Sequence, residues 1–133
     1  MTVMREPTLE LGLVAYLDGL DVNGKQALAL TRLGTDLQTL VNTHGAVLRV
    51  RITSGRNNRV EARPRVGIEV YANTYTDVWD AASEVEALML RPFFWAGGYL
   101  IDFALNESAN AEQAHPNLRL VASVWRVVTR TPL

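Results

Sequence analysis

Two histidines, an arginine-rich segment and a helix carrying carboxylates are the places where this sequence could do chemistry. His44 and His115 stand far apart in the chain, and neither has a flanking ligand pattern such as H-E-x-x-H or a cysteine pair. Both are expected in loops, as solvated side chains. Asp77, Asp80 and Glu84 recur at spacings that set them along one side of a helix, away from its apolar stripe. Paired carboxylates can act as acid and base in hydrolysis. Glu84 and Glu86, however, are two apart and do not share a face, so a solvated or interface surface fits this helix better. Arg56, Arg59 and Arg63 lie where Gly55, Asn57 and Asn58 supply turn chemistry. Three uses stay open for them: solvated loop charge, contact with an acidic protein surface, or contact with DNA phosphates. The segment lacks the aromatic residues of a single-stranded nucleic-acid platform. Ser54-Gly55 and Gly97-Gly98 match neither a dinucleotide fingerprint nor a P-loop, and there is no G-x-S-x-G elbow. No catalytic residue, cofactor or metal ligand is expected.

The elements that must position these residues are written in the hydrophobic periods. Val66, Ile68 and Val70 alternate with Arg65, Gly67 and Glu69, so Pro64–Ala72 reads as a half-buried strand. From Thr74 to Leu90 the period lengthens. Val78, Ala82, Val85 and Met89 fall on one helical stripe, with Thr76 or Asp77 as the cap and Asp77 and Asp80 complementing the helix dipole. Thr8–Leu20 reads as an earlier helix with Leu9, Leu13, Leu17 and Leu20 inward, ended by a turn at Asp21–Gly24. Gln26–Leu33 reads as a short strand, with helix nearly as well supported, and Thr35–Asn42 as a helical turn or two burying Leu37, Leu40 and Val41. Ala46–Thr53 is a strand with Leu48, Val50 and Ile52 toward the core. It should run through an exposed loop or long hairpin, Ser54–Arg63, into the next strand. Tyr99–Asn106 reads as a strand and the polar stretch Glu107–Asn117 as a loop. Leu118–Thr129 reads as a last strand, apolar on both faces and therefore central or covered at an interface. Phe93, Phe94 and Trp95 form an aromatic cluster before it.

The chain has 133 residues, 48% of them apolar and 20% charged, which suits one soluble domain over residues 1–133. It has no cysteine, which excludes disulfide and thiol chemistry and fits assembly in a reducing cytoplasm. No apolar run is long enough to span a bilayer, and the first residues do not have the layout of a secretory signal. The net charge is −1, yet arginines crowd Arg49–Arg65 and carboxylates crowd Glu69–Glu112. Folding either separates these into a basic and an acidic surface or intermingles them.

The succession of AVLRVRIT, an arginine-bearing loop, RPRVGIEVYANTYTDVWDAASEVEALM, a strand, a polar proline-containing stretch and LRLVASVWRVVTR resembles the tail terminator (tail-completion) proteins of long-tailed bacteriophages. It covers most of the chain from Val47 onward and rests on alternation and length, without a catalytic motif. QALALTRLGTDLQTLVNTHG departs from the pattern, which has a shorter, more proline-rich connection there. The topology of residues 21–46 therefore stays open. The resemblance implies an α+β fold: a mixed or mainly antiparallel sheet of about four strands with helices packed on it. It also implies a non-enzymatic virion protein at the tail–neck junction. Copies of the chain would form a ring, a homohexamer in that family, that caps the head-proximal end of the tail tube and stops its growth. Its partners would be the tail tube protein, head-proximal neck proteins and, non-specifically, DNA in the lumen. Arg56, Arg59 and Arg63 would make inter-subunit, tube or lumen contacts, with Asp77, Asp80 and Glu84 as a complementary patch. Alternatives are a neck connector of the head-closure or stopper kind, and a small oligomeric ligand-binding or enzymatic domain.

Overall fold

Period-two alternation yields the strands and period-3.6 stripes yield the helices, in the order α1 (Leu9–Leu17), β1 (Asp21–Val22), β2 (Lys25–Gln26), β3 (Leu28–Leu30), α2 (Leu37–His44), β4 (Val47–Ser54), β5 (Glu61–Ala62), β6 (Arg65–Ala72), α3 (Tyr75–Met89), β7 (Phe94–Ala96), β8 (Tyr99–His115) and β9 (Leu118–Arg130). The computed structural model describes residues 9–54, 61–62, 65–91, 93–96, 99–115 and 118–130. The main sheet runs β3-β4-β6-β9-β8-β7, with β5 also paired to β9. Only β3 and β4 are parallel, joined through α2; every other described pairing is antiparallel. The fold is α+β with a mixed sheet, as expected. Four long strands, β4, β6, β9 and β8, form its body, and short strands extend it.

The sheet has two unequal faces. On one, Leu48, Val50, Val66, Ile68, Val70, Val121, Trp125 and Val127 are buried beneath α1 and α3. Helix α1 contributes Leu9, Leu13 and Leu17; α3 contributes Val78, Ala81, Val85 and Met89. The stripe on α3 is the expected one except that Ala81, one residue earlier, is fully buried while Ala82 is only partly so. On the other face α2 covers one end alone, packing Val41, Leu37 and Leu40 against Val47, Tyr71, Leu118 and Leu120. Strand β9 lies between β6 and β8; one face is covered by the core along Val121, Trp125 and Val127, and the other is covered by α2 at Leu118 and Leu120.

Several local expectations are corrected. The α3 cap is Thr74, not Thr76 or Asp77: its extended backbone (φ −129°, ψ 158°) lets the hydroxyl accept from the Asp77 N–H at 3.1 Å. Asp21–Gly24 does more than end α1. Asn23 (φ 53°) and Gly24 (φ 85°) form the two-residue turn of the β1–β2 hairpin, the geometry that Asn-Gly adopts most readily. Gln26–Leu33 is not one strand: β2 ends at Gln26 in the hairpin with β1, and β3, Leu28–Leu30, belongs to the main sheet. His44 is not in a loop. It is the last residue of α2, which runs on until Gly45 (φ 81°) closes it by donating its N–H to Val41 O at 2.8 Å.

The largest correction is β8. The stretch Glu107–Asn117 was expected to be a loop, but β8 continues through it to His115, pairing Ser108 with Val124 and His115 with Leu118. Main-chain hydrogen bonds to β9 hold this strand, so it needs no apolar alternation. The ladder shifts register between Ile101 and Phe103, Asn106 and Ser108, and Gln113 and His115, which blurs any period along it.

Candidate interaction surfaces

The end of the sheet face that α2 leaves uncovered is basic. Alternation places Arg49 and Arg51 of β4, Arg65, Gly67 and Glu69 of β6, and Ala122, Val124 and Arg126 of β9 on this side. In register, Arg49 faces Glu69 and then Ala122; Arg51 faces Gly67 and then Val124; Arg65 faces Arg126. Arg51, Arg65 and Arg126 are exposed. Arg49 is drawn inward: its Nε lies 3.1 Å from Glu69 Oε1 in an ion pair that lacks hydrogen-bond alignment. Glu69 Oε2 accepts from the Tyr71 hydroxyl at 3.0 Å. Burial, then the Glu69 charge and hydrogen bond, push the Tyr71 hydroxyl up to about 12, against the opposing pull of Arg49 and Arg51.

This shift makes a prediction about alkaline stability. The folded state holds the Tyr71 proton more tightly than the unfolded chain, whose tyrosines titrate near 10. The stabilisation is therefore complete below pH ~10 and is lost as the pH rises from there through about 12. In urea titrations across that range, Tyr71→Phe should flatten the alkaline decline. An unchanged slope would show that another group sets it.

The opposite side of the molecule is acidic along α3. Asp80 and Glu84 are exposed, with Glu86 further round, and Asp77 is half-buried. Asp77 and Asp80 are brought together by a residue that the carboxylate spacing did not indicate. Asn23 Nδ2 donates to Asp77 Oδ1 at 3.2 Å and to Asp80 Oδ2 at 3.4 Å, tying the β1–β2 turn to the helix. Two members of the patch thus also serve the fold, and Glu84 stands apart from that contact. Between α3 and the sheet, Trp79, Ser83 and Glu86 line a shallow cleft of about 110 Å³ floored by Val121, Ser123 and Trp125. At its amino-terminal end α3 is held to β9 by the Arg119 guanidinium, 5.0 Å over the Tyr75 ring.

Arg56, Arg59 and Arg63 lie outside the described residues; the strands that flank them, β4 and β6, bring Arg51 and Arg65 to the basic face. His115 is on β8, not in a loop, and among the described residues no group of histidine and carboxylate side chains could hold a metal ion. No helix among them is long and apolar enough to cross a membrane. What the sequence reading missed is the Arg49–Glu69–Tyr71 cluster, whose signal was the charged pair facing each other on adjacent strands, and the role of Asn23, signalled by Asn-Gly.

No protein-family model matches the chain, and no curated protein matches it in sequence. Among solved structures it is similar to a chain in the virion of a native gene transfer agent particle, at 13% identity and a TM-score of 0.47. The alignment covers 62% of this chain and 68% of that one, and at this level it gives no functional assignment.

Proposed function

We propose that this chain is a structural, non-enzymatic virion protein, a single domain whose copies form a ring on the head-proximal end of a bacteriophage tail tube. The observation that carries the reading is the separation of charge across the sheet: an arginine row on its open face, carboxylates along α3 on the other. A cyclic ring is built from heterologous contacts, in which two different surfaces of each subunit complement each other. Opposite charges on opposite sides supply register and speed encounter more than they add affinity. The order of strand, arginine-bearing connection, strand and helix supports the reading, being part of the layout on which the resemblance to tail terminators rests; the polar loop expected before the closing strand is instead the outer part of β8.

The mechanism is steric. One ring face matches the tube subunit; the other does not present that surface again, so addition stops. Arg56, Arg59 and Arg63 contact a neighbour, the tube or DNA in the lumen, and Asp77, Asp80 and Glu84 form the complementary patch. Tube assembly in vitro tests this. Purified chain added to polymerising tube subunits should bind one end and shorten the tubes in proportion to its concentration. Unchanged tube lengths with the chain in excess would remove the capping role and favour the neck connector.

A further inference from the structure

Three of the exposed large apolar side chains, Leu90 (51%), Phe93 (70%) and Trp95 (60%), are concentrated at the turn from α3 into β7. Phe93 has a φ of 57°, a left-handed conformation that a bulky aromatic rarely adopts and that persists only where its surroundings enforce it. It projects outward, while Phe94 turns in and stacks on Tyr16 with ring centroids 4.2 Å apart. On β7, Trp95 is exposed between the buried Phe94 and Ala96, and β7 is an edge of the sheet. Exposed Arg91 stands beside this apolar knob.

A receiving surface lies elsewhere on the same chain. Leu33, Gly34, Thr35, Leu37, Gln38 and Leu118 line an open groove of about 370 Å³ between α2 and the start of β9. That is about two and a half times the ~150 Å³ cavity known to hold a benzene ring. The exposed carboxylate of Asp36 belongs to the same turn. Knob and groove are at opposite ends of β9: Leu118 begins the strand, whereas Trp95 pairs with Leu100, which pairs with Arg130. At about 3.3 Å per residue they are roughly 40 Å apart along the strand, so a copy cannot fill its own groove.

We propose that two copies of this chain meet head to tail through these surfaces. Phe93 of one copy enters the leucine groove of the next, Trp95 covers its rim, and Arg91 faces Asp36. Each copy keeps one knob and one groove available, so the contact repeats, closing a ring or extending a filament. The inference concerns self-association alone and holds whatever the assembly caps.

The chain has no cysteine, so single-cysteine variants report contacts cleanly. Arg91→Cys and Asp36→Cys, both at exposed positions and leaving Phe93 and Trp95 in place, are purified separately, checked for folding by circular dichroism, and mixed with oxidised glutathione. The mixture should give the mixed disulfide, and neither variant alone should dimerise covalently. Sedimentation of Phe93→Ser/Trp95→Ser should show self-association weakened tenfold or more. Arg91→Cys or Asp36→Cys linking to itself would indicate a two-fold contact and overturn the proposal. So would a mixture that does not link, or an unchanged association of the serine variant.

Discussion

Changing Arg56, Arg59 and Arg63 together to glutamate should reduce tail completion to the level seen without the gene, while the purified protein keeps its melting temperature. The substitution reverses three charges in the sequence between β4 and β6, strands that themselves carry the exposed Arg51 and Arg65. It would turn an attractive approach toward Asp80 and Glu84 of a neighbour, or toward an acidic tube or DNA surface, into a repulsive one. A large functional loss without a thermal shift separates assembly from folding. Infectious titre and tail length by electron microscopy are the readouts. Normal capping by the triple variant would take these arginines out of the account.

The largest effect on stability should come from Trp125→Ala. Trp125 is 1% exposed in the middle of β9, and its indole N–H donates to Ser123 Oγ at 2.9 Å, which in turn donates to Ile68 O at 3.1 Å. Truncation removes the largest fully buried side chain and leaves Ser123 without that donor. The space it vacates opens onto the cleft beside Trp79 and Ser83, where water can enter but the strands cannot close in. A loss of about 3–5 kcal/mol follows, roughly 10–15 °C in melting temperature for a chain of this size. Trp125→Phe keeps most of the volume and should lose much less. If the alanine variant melted within two or three degrees of the parent, β9 would not be the centre of the core.

Which parts of this fold could be read in advance depends on what each element buries. Strands β4, β6 and β9 have one face fully committed to the core, so Leu48, Val50, Ile68 and Val70 set a clean period of two. Helix α3 was legible for the same reason. Its cap was misplaced, because Thr74, Thr76 and Asp77 can all cap and only the tertiary path selects Thr74. The outer half of β8 was not legible: nothing in ESANAEQAH requires burial, and its order comes from backbone pairing with a partner strand. Among the surfaces, the acidic side of α3 followed from helical spacing alone. The inward turn of Arg49 onto Glu69 required knowing that β4 and β6 are paired in that register. The left-handed backbone at Phe93 has no sequence signal, since phenylalanine is not a residue that favours it.

The most direct test of the ring-capping claim is electron microscopy of a lysate in which this gene has been deleted from its native source. The account predicts overlong, headless tail tubes beside DNA-filled heads. Tails of normal length with empty or leaking heads would contradict it and move the chain to the neck; intact virions would remove it from virion assembly altogether.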